Sequence, residues 1–311
     1  MADAYLATAD IAHFNDNELG FTVSDVLDDA PALQVLAART VSKDTFKYAK
    51  KTVNPSVGFR AVNDGRENAK TTRVTITVTL GVLDATFAVD YAAALADERG
   101  PMALVAEEGM DHLKAAFAAA EKQIFHGTVD GDSGGFSGFA DDTNMNGASD
   151  SQVVDATGTT AGTGSSCYVM QTGPGGVEVV WGQQGVLEVG EMSTVDKAGS
   201  ATGTFPAWYV PITGWCGLKI GSVKSVVRIA NLTEDSGKGL TDDLISSAIA
   251  KFPQGSRRPN LIACSGRSLK QLQQSRTATN ATGAPAPFPE SAFGLPIVGT
   301  DQIIDTETLL A

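Results

Sequence analysis

The sequence predicts an α+β protein built from a projecting β-hairpin, a long spine helix and a mixed body of strands and helices. Three observations carry this. "RVTITVTL" (73–80) alternates strictly, with Val74, Ile76, Val78 and Leu80 on one face and Arg73, Thr75, Thr77 and Thr79 on the other. "PMALVAEEGMDHLKAAFAAAEKQIFH" (101–126) sets Met102, Val105, Ala106, Met110, Leu113, Phe117, Ala120 and Ile124 on one helical face. After residue 235 the pattern turns helical, following a run of short strand signals.

Composition supports a globular chain. Its 311 residues are 42% hydrophobic and 19% charged, enough for a sizeable core. Thirty-three glycines favour a turn-rich fold, and three histidines leave little material for imidazole chemistry. The net charge of −13 opposes adsorption to nucleic acid. That charge is unevenly placed. From Ser42 to Arg73, Lys43, Lys47, Lys50, Lys51, Arg60, Arg66, Lys70 and Arg73 face only Asp44, Asp64 and Glu67, so this segment is +5 and the remainder −18. Such a segment reads either as a solvated basic loop or as a protrusion that docks on an acidic neighbour, another copy of the chain included.

Cys167, Cys216 and Cys264 are odd in number and lack metal spacing, which predicts buried thiols rather than a disulfide framework. "MADAYLATADIAHFNDNE" carries early acids and no apolar run, so no signal peptide is expected. No apolar stretch approaches the roughly 18 residues that suggest a membrane span.

Along the chain, residues 1–41 read as an N-terminal arm, with a short helix at "PALQVLAAR" (31–39) opened by Pro31. Residues 42–92 read as an extended β-hairpin loop whose turn chemistry lies in "VNDGREN" (62–68). At Gly81 the alternation slips by one, to Leu83, Ala85, Phe87 and Val89, which predicts a bulge or sharp bend. Residues 93–135 hold the spine helix, about 39 Å long over 101–126, and the turn after it. Gly127 suits the position past its end. Residues 136–235 read as a β-rich part of a peripheral domain, with strand signals at 177–181, 186–189, 208–212 and 223–232. Residues 236–311 read as an axial domain, with helices capped by Thr241 and Ser265.

Several motifs invite chemistry. "GDSGG" (131–135) spells the surround of a protease nucleophile, which makes Ser133 the candidate of a serine hydrolase reading. That reading lacks a partner: His126 is seven residues away at a helix end, His112 is inside the helix and His13 is in the arm. A turn leaving the spine accounts for the five letters. "DTNMNG" (142–147) matches the first half of a calcium loop, with Asp150 at the ninth position, but Val153 stands where a bidentate glutamate is needed. "GPGG" (173–176) is a tight turn between strands. Glu107, Glu108, Asp111 and His112 read as a solvated helix face. Trp181, Trp208 and Trp215 read as core or interface anchors. No catalytic, metal or cofactor residue is assigned.

Segments spread along the chain carry a resemblance. They are "NPSVGFRAVNDG" (54–65), "GVLDATFAVDYAAALA" (81–96), "EKQIFHGTVDGDSGGFSGF" (121–139), "GTGSSCYVMQTGPGGVEVVWG" (162–182), "WCGLKIGSVKSVVRIANL" (215–232) and "GLPIVGTDQI" (294–303). Together and in this order they resemble the major capsid proteins of tailed bacteriophages with the Hong Kong 97-type shell fold, of the family found in short-tailed and related phages. The resemblance implies a structural, non-enzymatic protein without cofactors. It would assemble with copies of itself in hexamers and pentamers, in the host cytoplasm, into an icosahedral virion shell. That shell would enclose DNA without sequence-specific binding and without a membrane. Portal, scaffolding and decoration proteins are the further partners it brings into view. A bacterial encapsulin-like compartment shares this fold and stands as the alternative. Because the strands of 177–232 precede the helices at 241 and 265, a permuted connectivity is expected. The eight basic residues of the hairpin loop are the expected inter-subunit contacts.

Overall fold

The computed structural model describes residues 26–311 apart from 54, 68, 97–99, 186, 199–202, 256 and 281–283. It opens with helix α1 (Pro31–Val35) and strand β1 (Ala38–Thr40). The helix expected over 31–39 stops early. Leu36 turns extended, and residues 38–40 pair in parallel with residues 179–181, so tertiary pairing overrides helical spacing. Residues 26–41 of the expected arm are therefore built into the body, and residues 1–25 lie outside the described part.

β2 (Thr45–Val53) and β3 (Thr72–Thr79) form the expected long antiparallel hairpin. The phase slip at Gly81 proves to be a change of sheet. β4 (Gly81–Asp84) leaves the hairpin and pairs with a body strand, Gly81 lying opposite Cys216. β5 (Phe87–Asp90) joins a further sheet, and α2 (Tyr91–Leu95) follows. Asp90 caps α2, its carboxylate accepting from the Ala92 amide at 2.8 Å.

The spine is α3 (Pro101–Asp130). Its regular geometry breaks at Gly127, with φ 56° and ψ −139°, where the sequence places the helix end. A Cβ at 127 would overlap the Asp141 carboxylate and the backbone of Gly138, so this site requires glycine for space as well as for conformation.

Eight strands follow: β6 (Val153–Asp155), β7 (Ser165–Met170), β8 (Val177–Trp181), β9 (Glu188–Val189), β10 (Ser193–Ala198), β11 (Thr204–Val210), β12 (Ile212–Ile220) and β13 (Val226–Leu232). The last section alternates: α4 (Asp242–Ala250), β14 (Leu261–Cys264), α5 (Gly266–Ala278), β15 (Ser291–Ala292) and β16 (Leu295–Gly299). Thr241 and Ser265 cap the two helices as expected, accepting from the amides of Leu244 and Ser268.

Among the described residues there are three sheets beside the hairpin. One runs β1-β8-β12-β4, with β9 also on β12; a second runs β10-β11-β5; the third runs β15-β16-β14-β7-β13-β6. The C-terminal half of α3 covers one face of the third sheet, where Phe125, Phe139 and Tyr168 pack with ring centroids 5.3–5.9 Å apart. The other face is closed by α4 and α5 through Ile245, Ala248, Leu269 and Leu272. The N-terminal half of α3 lies over Phe87, Val210 and Ile212.

The expected boundary between 136–235 and 236–311 runs through the third sheet. β6, β7 and β13 come from one side of it, and β14, β15 and β16 from the other. Local pattern reports that a segment is a strand and says nothing of a partner ninety residues away.

Candidate inter-subunit surface: the basic hairpin and its root

The hairpin is attached to the body by side chains rather than by sheet hydrogen bonds. Phe46 and Tyr48 on the inner face of β2 stack at 6.0 Å. Tyr48 donates its hydroxyl to the Ile220 carbonyl at 2.8 Å. Beneath them Glu178 of β8 is 3% exposed and accepts from Arg39 Nε and Lys219 Nζ, each at 2.7 Å. Both cations also lie near the Phe46 ring, at 5.6 and 6.0 Å. Burial pushes the Glu178 carboxyl up, but hydrogen bonds and charge from Arg39 and Lys219 outweigh it and hold the group below its ordinary range.

The structure divides the eight predicted contact residues. Lys43, Lys47, Arg60, Arg66, Lys70 and Arg73 are exposed. Arg60 donates to the Asp64 carbonyl at 3.1 Å and Arg66 to Ser56 Oγ at 3.3 Å, both within the loop. Lys50 differs from these six: it is 7% exposed and lies 3.6 Å from Asp142 of its own chain. Phe46, Tyr48 and Lys50 share the inner face of β2, so this ammonium is turned toward the body of its own chain. The side chain of Lys51 lies outside the described part, but its register is set: Lys51 stands opposite Arg73. Like charges at opposed positions of an antiparallel pair destabilise it unless an anion lies nearby.

Beyond the paired strands the loop carries three apolar side chains into solvent, Phe59 at 105% relative exposure, Val62 at 90% and Val57 at 84%. Nothing in the periodicity marks them. Their one signal is apolar residues set among the turn formers of "NPSVGFRAVNDG". The turn residues behave as expected, Asn63 holding φ 68° and Asp64 Oδ1 accepting from Gly65 N–H at 2.9 Å.

The other motifs resolve into structure. Ser133 is exposed in the turn after the spine. His126 is fully buried, its Nε2 taken by the backbone of Gln302 and Ile304, each at 3.2 Å. Asp142 of the calcium-like stretch faces Lys50 and accepts from Asn144, Asp150 accepts from Gly147 N–H, and Met145 between them is 1% exposed. His112 stacks on Phe87 at 5.1 Å. Among the described residues no group of acids, histidines or cysteines is arranged to hold a metal, and no helix is long and apolar enough to cross a membrane. All three cysteines are buried, and burial pushes the Cys216 thiol up to about 12.

Comparison with known proteins places this architecture. The family of the major capsid protein GP7 matches residues 22–311. A solved structure of bacteriophage Epsilon15 is similar at 20% identity, with 100% of this chain and 98% of that chain covered and a TM-score of 0.62. The capsid of bacteriophage JBD30 aligns at 11% identity over 94% of this chain and 98% of that one, with a TM-score of 0.49. No curated protein matches the chain. Neither the encapsulin-like nor the hydrolase alternative draws support from these likenesses. The chain belongs to the major capsid protein GP7 family, and it is the structural subunit of a tailed-phage head shell with the Hong Kong 97-type fold.

Proposed function

We propose that the basic hairpin is the contact by which one subunit of the shell engages the next, and that the subunits close into hexamers and pentamers. The observation that carries this reading is the unbalanced hairpin itself. Lys47, Arg60, Arg66, Lys70 and Arg73 are exposed, and Phe59 stands wholly in solvent, so an isolated subunit presents both cationic and apolar surface to water. A neighbour that offers carboxylates beside an apolar patch relieves both. The contact joins two different surfaces of the same chain, and such heterologous contacts close into rings.

The same reading makes the protein non-enzymatic. Ser133 is exposed in its turn, and among the described residues His126 is buried with its Nε2 against the backbone of Gln302 and Ile304, not against Ser133. An acidic body also suits a container for DNA, because it repels the phosphate backbone instead of adsorbing it. Assembly in the host cytoplasm, with portal, scaffolding or decoration proteins as further partners, completes the proposal.

The experiment is assembly of recombinant protein followed by negative-stain microscopy. Wild type should form rings or shells, and a variant with Lys47, Arg60, Arg66 and Arg73 changed to Ala should remain as soluble folded subunits. Normal shells from that variant would remove the hairpin from the interface.

A further inference from the structure

Most arginines of the body are committed to a carboxylate. Arg39 pairs with Glu178, Arg228 with Glu307, Arg267 with Asp305 and Arg276 with Asp242, at 2.7–3.4 Å. Arg257 and Arg258 are exposed and, among the described residues, hold no carboxylate. Lys224 is exposed and equally uncommitted. All three stand at one end of the third sheet. Met170 at the end of β7 lies between Val226 and Leu261, the first residues of β13 and β14, so Lys224 precedes one flank and the arginines the other.

The loops at this end are stitched into one surface. Gln171 N–H donates to the Ser225 carbonyl at 2.8 Å. Asn260 Oδ1 accepts from Thr172 N–H at 2.8 Å, and its Nδ2 donates to the Thr172 carbonyl at 3.1 Å. Arg257 Nη2 lies 3.4 Å from the place a Cβ on Gly175 would take, so the guanidinium rests on the bare backbone of "GPGG". Residues 171–176, 221–225 and 251–260 contain no Asp or Glu. Glu178, which follows the first of these loops, is buried and held by Arg39 and Lys219.

We propose that this surface is a phosphodiester site, at which Lys224, Arg257 and Arg258 meet the phosphate backbone of the DNA inside the shell. The inference rests on the reading of the protein as a container for DNA, and it gives an otherwise repelling body one point of contact with the polymer.

Three arguments favour this occupant. The first is what surrounds the cations. Their neighbours are the small polar residues Thr172, Ser222 and Asn260, and no exposed large hydrophobic residue lies on the three loops. A protein interface is built around an apolar core, which the hairpin tip offers in Phe59 and this surface lacks. Phosphate contacts need only cations, hydroxyls, amides and backbone N–H groups. The second is geometry: a guanidinium presents paired donors that match two phosphate oxygens. The third is range. At physiological salt, charges beyond about 8 Å are screened, so a phosphate at this surface meets the local cations and not the acids of the distant body.

The test is arginine labelling with phenylglyoxal, read by mass spectrometry, in DNA-filled heads, emptied heads and unassembled subunits. Arg257 and Arg258 should be labelled in subunits and in emptied heads, and protected several-fold in filled heads. Equal labelling of filled and emptied heads overturns the site. Protection in both kinds of head, with labelling of unassembled subunits alone, also overturns it and assigns the arginines to a protein partner. A second arm needs no head. Subunits are titrated with a short fluorescent DNA duplex over a salt series, beside a variant carrying Lys224→Gln, Arg257→Gln and Arg258→Gln. The variant should reduce the slope of log K against log salt by about 2–3, at roughly 0.9 for each phosphate contact. Equal slopes overturn the site. A reduced slope from a chain that forms no heads would remove the container reading and leave the site standing.

Discussion

Gln123 Nε2 donates to the carbonyl of Phe136 at 2.7 Å and so fastens the turn after the spine to the spine itself. The same amide donates to the Asp132 carbonyl at 3.0 Å and accepts from the Asp132 amide at 2.8 Å. Gln123 is 5% exposed, and a Cβ at Gly135 would overlap its side chain. Gly131 and Gly135 of "GDSGG" therefore let the backbone approach a buried glutamine, and Ser133 is a bystander on the exposed side.

Gln123→Leu should destabilise the subunit by about 1–3 kcal/mol, because it leaves the buried Phe136 carbonyl and the part-buried Asp132 amide without their partner. Ser133→Ala should change stability by no more than about 0.5 kcal/mol, as for an exposed surface site. Denaturant melts of the two variants read both effects. Equal midpoints would show that the glutamine does not hold the turn. Labelling of Ser133 by a fluorophosphonate probe would reverse the reading of that residue.

Glu178 is the anion at the hairpin root. Arg39 is 42% exposed, so its ion pair is screened, whereas Lys219 is 10% exposed and depends on Glu178. Removing one partner of a buried pair strands the other, so Glu178→Ala should cost about 3 kcal/mol. Pairing it with Lys219→Met removes the stranded charge and should recover much of that loss. Cleavage by a protease within 41–45 or 79–81, faster in Glu178→Ala than in wild type, would report a loosened hairpin. Unchanged cleavage and melting would show that aromatic packing alone holds the root.

Lys50 and Lys47 occupy opposite faces of one strand and should behave oppositely. Lys50→Ala leaves Asp142, whose side chain is 13% exposed, without its cation and should lower the melting temperature of the unassembled subunit. Lys47→Ala should leave that temperature unchanged and weaken assembly in a salt-dependent way. Light scattering over a salt series, beside thermal melts, separates the two.

Much of the fold was legible wherever a local pattern decides it. The spine helix, its end at Gly127, the hairpin strands and the caps at Thr241 and Ser265 all depend on neighbours within a few residues. β7, β13 and β14 are buried at every position, so they show no alternation and their partners are not written locally. At the site, the basic character of 42–73 was legible as charge, but the orientation of Lys50 was not taken from it. Alternation in "TFKYAKKTV" places Lys50 with Phe46 and Tyr48, and that parity is the signal that assigns it inward. The exposed Val57, Phe59 and Val62 stand in irregular chain, where no period distinguishes an outward apolar residue from an inward one.

His126 gives stability a pH dependence with a definite sign. Its Nε2 accepts from the Ile304 amide at 3.2 Å, and its Nδ1 lies 3.5 Å from Glu307 in the segment that closes the third sheet. Burial pushes its pKa below 6.5, against the pull of Glu307 and Asp130 and with Arg228 adding to the depression. Below pH 6.5 the unfolded chain gains a proton before the folded one does, so this residue lowers stability as pH falls from 6.5 toward the depressed native value. Glu121 acts in the other direction. Its carboxyl is pushed above 4.5 by burial, despite accepting from Thr300 and Leu33, so it lowers stability as pH rises from 4.5 toward its raised value. The two contributions are separated by mutation. His126→Gln should flatten the acid-side fall in melting temperature, Glu121→Gln should flatten the opposing slope, and each should leave the other's slope in place. An acid-side fall that persists in His126→Gln would assign it to another group.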